Sequence, residues 1–197
     1  RINIKKTYAD IEVIISDNID LSRQILLKYG INETKTINYL KLIIYGSASI
    51  NEKLLPQNIS NLSKEVLSLV FDNLKNYPNP FQIIKNLEYI ISRRTEIEYF
   101  LRTLLNEKYL KLIMLICAYS NAFTKILAEN DRIIELLYSF GINDIPQDMV
   151  ININEEDLKN ILFLQIIIMN LTKKISLDTF FIKLSKVVND ILCSIVL

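Results

Sequence analysis

The sequence predicts an all-α fold, a multi-helix bundle of roughly eight to ten helices, on three observations. Apolar residues recur at helical spacing along most of the 197 residues. Only 3 Gly and 4 Pro punctuate the chain, too few for the many turns of a sheet protein. Half of the residues are hydrophobic, enough to fill a sizeable core.

The helices follow in order. One is expected over about Asp20–Tyr29, with Asp20 as its N-cap and Gly30 in the left-handed position past its end. A second covers about Thr34–Tyr45, with Ile37, Leu40 and Ile44 on its apolar stripe. A third begins near Ser60 and carries Leu62, Val66, Leu69, Val70 and Leu74. "NYPNP", 76–80, ends it, because a residue before proline is biased away from helix, and Pro80 suits the first turn of the next. From there helices follow closely at roughly 80–92, 94–105, 107–119, 120–129 and 131–138, with Ser120 as a cap between two of them. The stretch 139–154 is the longest irregular one, and "MVINI" within it leaves a short strand open. Asn154, Glu155, Glu156 and Asp157 form an acidic start to a long helix reaching about Leu171. Ser176 caps the last, which holds Phe180, Phe181, Leu184, Val187, Val188, Ile191 and Leu192. We read residues 1–197 as a single helical domain cut from a longer chain, with 139–154 as a sub-bundle boundary.

Composition excludes several functions. Lys and Arg number 23 against 22 Asp and Glu, so the basic excess of a nucleic-acid surface is missing. With no histidine, Ser-His and Cys-His catalysis and His-ligated metals are out of reach. Cys117 and Cys193 stand alone in apolar helical stretches, as small core residues, and fit a reducing, cytoplasmic compartment. The most apolar run, 161–171, is well short of the roughly 20 residues a membrane span needs, and no signal peptide is visible. The four Asn-x-Ser/Thr triplets, at Asn32, Asn58, Asn61 and Asn170, are expected by chance in so Asn-rich a chain, whose heavy use of Ile, Asn and Lys reads as codon bias.

Four short stretches invite a chemical reading. "YGSAS", 45–49, has the Gly-Ser pair that lets phosphates approach a backbone, and Asp17 and Asp20 are paired carboxylates of the kind that hold a divalent metal. A nucleotidyltransferase site would place Gly-Ser first and then Asp-x-Asp on a strand, both carboxylates on one face. Here the order is reversed and the spacing wrong, so a loop and a helix cap are the readings. "NEEDLK", 154–159, complements a helix dipole. Arg93 and Arg94 suit an anionic partner; an exposed helix face or a structural ion pair is the expectation. No catalytic, cofactor-binding or metal-binding residue is assigned.

"LICAYSNAFTKILAENDRIIELL", 115–137, resembles a segment of the bifunctional glutamine synthetase adenylyltransferase/adenylyl-removing enzyme family. Leu115, Ser120, Ile126, Leu127, Leu136 and Leu137 hold the places of that family's pattern. "ILLKYGI", 25–31, is similar to its Leu-x-x-Leu-Gly-Phe. Residues 79–107 resemble its Asn/Asp-Pro start and Tyr-x-x-Leu-Leu helix, and residues 162–192 the helices leading into its second nucleotidyltransferase domain, including Leu184-Ser185. The likeness runs in order from about Ile25 to the C-terminus. The chain departs from it at Glu129-Asn130, where the family often has His-Pro, and at Ile134, where an Asp stands.

The resemblance implies a non-catalytic helical linker or regulatory region that positions the flanking nucleotidyltransferase domains. In the family, one domain attaches AMP to a tyrosine of glutamine synthetase and one removes it by phosphorolysis. ATP and Mg would belong to those domains and no cofactor to this chain. Partners would be the flanking domains, with glutamine synthetase and the PII protein of nitrogen metabolism beyond them, and neither nucleic acid nor membrane. The alternative from the residues alone is a free-standing all-α adaptor that binds another protein.

Overall fold

A computed structural model describes residues 2–16, 18–46, 55–141, 143, 153–172, 175–176 and 178–186. The fold is all-α, and no strand occurs among the described residues. The helices are α1 (Ile2–Ile14), α2 (Ile19–Lys28), α3 (Thr36–Tyr45), α4 (Gln57–Asn73), α5 (Pro80–Ile91), α6 (Ile97–Leu104), α7 (Glu107–Tyr119), α8 (Asn121–Glu129), α9 (Asp131–Phe140) and α10 (Glu155–Leu171), with a 3-10 turn at Leu74–Asn76. Residues 178–186 form a further helix, α11. The expected eight to ten is therefore an undercount among the described residues, because the first helix lies in the stretch before Asp20 to which no element was assigned.

The chain divides into two compact units, Arg1–Glu129 and Asn130–Leu197. The stretch 139–154 falls within the second.

In the first unit, α4 and α5 form the centre. α4 packs on α1, α3 and α6, and α5 packs on α3, α7 and α8. Val66, Leu67, Val70 and Phe71 of α4 are buried, as are Ile83, Ile84, Leu87, Ile90 and Ile91 of α5, each set at the spacing of one helical face. α4 starts three residues earlier than expected, directly after Pro56. α6 starts three residues later, because residues 92–96 form a turn.

The end of α2 shows how sequence becomes a stop signal. Gly30 adopts φ +76°, the left-handed region that favours glycine. Its N–H donates to the Leu27 carbonyl (3.1 Å), and the Ile31 N–H reaches back to Leu26 (3.1 Å). This is a Schellman closure, with Leu26 and Ile31 both buried beside it. At the other end of α2 the cap is Asn18, whose side chain accepts from the Leu21 N–H, and not Asp20. Asp20 sits in the first turn, where its charge complements the helix dipole.

In the second unit, α9 packs on α10. Ile133, Ile134, Leu136 and Leu137 of α9 and Ile161, Leu164 and Ile168 of α10 are all buried. Gln165, on that same stripe of α10, donates to the carbonyls of Gly141 (3.0 Å) and Asn143 (2.8 Å) and so fastens the chain where α9 ends. Ser176 accepts from the Thr179 N–H (3.2 Å) and caps α11 as expected. Val187, Val188, Ile191, Leu192 and Cys193 lie outside the described residues, as does "MVINI" apart from Ile153.

Candidate functional site

The stretch that carries the resemblance folds as a corner between α7 and α8. Tyr119 ends α7, and Ser120 takes an extended conformation (φ −146°, ψ 107°) that breaks the helix. The Ser120 N–H still donates to Ile116 (2.9 Å), while its hydroxyl oxygen accepts from the Phe123 N–H (3.2 Å) and starts α8. Thr124 returns its hydroxyl to the Ser120 carbonyl (2.8 Å). Ser120 and Thr124 thus satisfy several of the backbone groups freed by the break within five residues.

Three amides on neighbouring elements complete the corner. Gln82 donates to Asn86 (2.8 Å) and to Asn121 (2.9 Å). Asn86, buried on α5, donates to the Cys117 carbonyl (2.8 Å) and to Asn121 (3.0 Å). Asn86 falls among Ile83, Leu87 and Ile90 on the buried face of α5, and a polar residue at such a place has to find partners. That mismatch, an amide at an apolar position of the helical stripe, is present in the sequence itself.

Arg94 closes the far end of α8. Its side chain is only 7% exposed. Nη2 donates to the carbonyls of Leu127 (3.0 Å) and Ala128, and Nε donates to Ile90 (3.3 Å). The last carbonyls of a helix have no partner within it and carry its negative dipole end, so a buried guanidinium fits both needs. The expectation of an exposed helix face is corrected for Arg94: it is buried and acts as a C-terminal cap reached across 33 and 34 residues of sequence. Arg93 is exposed, lies over the Tyr89 ring at 3.5 Å and donates to the Tyr89 carbonyl (3.2 Å). Near it, partial burial raises the Glu88 carboxyl above its ordinary value, against the opposing pull of Arg93 and a hydrogen bond from Ser92.

The other stretches singled out by sequence do not converge. Gly46 closes α3 at φ +79° and donates to Leu42 (2.9 Å); Ser47–Ser49 lie outside the described residues. Asp20 is exposed and Asp17 is outside the described residues. In the second unit, Asn154 caps α10 by accepting from the Asp157 N–H (2.8 Å). Buried Asp157 accepts in turn from the Asn154 side chain (2.6 Å) and from Asn130, the cap of α9. This carboxylate therefore ties two helix caps together. Among the described residues no group of three or more His, Cys, Asp and Glu is arranged to hold a metal ion, and no helix is long and apolar enough to cross a membrane.

Titration of Cys117 follows from its position in the corner. Full burial pushes its thiol up to about 12, with a smaller opposing pull from Thr124. At neutral pH it is a thiol and a poor nucleophile. Taken together, Gln82, Asn86, Ser120, Asn121 and Thr124 brace the corner between α7 and α8 by hydrogen bonds to one another and to backbone.

No family model, no curated protein and no solved structure matches this chain.

Proposed function

We propose that this chain is a non-catalytic helical linker or regulatory region of a nucleotidyltransferase resembling the glutamine synthetase adenylyltransferase/adenylyl-removing enzymes. In this reading it positions catalytic domains that attach AMP to glutamine synthetase or remove it, in the cytoplasm, and ATP and Mg act in those domains. Its partners are those domains, with glutamine synthetase and PII reached through the parent protein. The observation that carries the reading is the α7–α8 corner. The stretch with the family's motif order is built as two helices at a capped break, held by Gln82, Asn86 and Asn121 and closed by Arg94. A part that orients two distant sites needs such fixed angles more than it needs reactive groups.

A free-standing adaptor is the second reading. It is favoured by apolar side chains left exposed on α2, namely Ile19, Leu21 and Leu27, and on α11, Phe181 and Ile182.

The coding sequence on either side of this segment separates the two. The linker reading expects Gly-Ser followed by Asp-x-Asp in a flanking domain; an open reading frame confined to these residues overturns it. Incubation of the chain with labelled ATP, Mg²⁺ and glutamine synthetase is expected to leave glutamine synthetase unlabelled, and transfer above a no-enzyme blank would overturn the non-catalytic assignment.

A further inference from the structure

We draw no further inference here: the strongest candidate, the exposed apolar side chains Ile19, Leu21 and Leu27 on helix α2, carries nothing because nothing in the structure shows what covers them.

Discussion

Replacing Arg94 by Met tests the physical account of the corner most directly. Methionine keeps much of the apolar stem and removes the guanidinium, so packing changes less than hydrogen bonding. The carbonyls of Leu127 and Ala128 lose their donor, and both residues are almost fully buried, at 0% and 2% exposure. A buried acceptor left without a partner costs about 1–3 kcal/mol. Two of them, together with the lost dipole interaction, set the expected destabilisation at roughly 3–5 kcal/mol. Urea denaturation followed by circular dichroism should show a lower midpoint with little change in slope. Amide exchange should accelerate first in residues 125–129. Arg94→Lys keeps the charge but not the fork that reaches two carbonyls, so its loss should be smaller. A Met variant within about 0.5 kcal/mol of the parent, the range of an ordinary surface substitution, would refute the cap assignment.

Ser120→Ala should cost about 0.5–2 kcal/mol, the range for a lost N-cap, and unchanged stability in the same denaturation assay would remove Ser120 from that role. Tyr29 donates to Asp10 (2.8 Å), and burial, with help from that carboxylate, pushes its phenol up to about 12. Since the folded state holds this proton more tightly than an unfolded tyrosine with its ordinary value of about 10, the contribution is complete below pH 10 and is lost as pH rises from 10 through 12. Comparison of alkaline unfolding curves should show the Tyr29→Phe variant losing less stability over that window than the parent, and parallel curves would contradict the assignment. In a Cys193→Ser background, Cys117 should react with a disulfide reagent at neutral pH only as fast as the chain opens, and labelling as fast as a free thiol would show that it is not buried.

How much of this was legible depended on whether the signal was local. Pro80 at the first turn of α5, Gly30 at the stop of α2 and the Ser120 break were all readable, because a fixed φ, a missing Cβ or a short hydroxyl acts within a few residues. The same held for α7, found at 107–119 as expected, and for the long helix ending at Leu171. Position within a cap was harder. Asn18 and Asp20 both carry a suitable oxygen two residues apart, and only the backbone geometry at Asn18 decides between them. The role of Arg94 was not readable. The acceptors it caps are main-chain carbonyls, which every residue has, at Leu127 and Ala128, more than 30 positions away. Of the candidate site, the break was visible and the lock on it was not, apart from the misplaced polarity of Asn86.

Five described helices begin on an asparagine, with Asn18, Asn79, Asn106, Asn130 and Asn154 each accepting a backbone N–H through the side-chain oxygen. Aspartate would serve the same geometry and add charge to the dipole interaction, but protonation weakens it in acid. An amide oxygen does not ionise and remains an acceptor from the acid limb to the alkaline one. The asparagine-rich composition thus gives this chain cap acceptors that carry no charge of their own; at Asn130 and Asn154 the same side chains also donate to the Asp157 carboxylate, so charge enters those two helix starts through a neighbour.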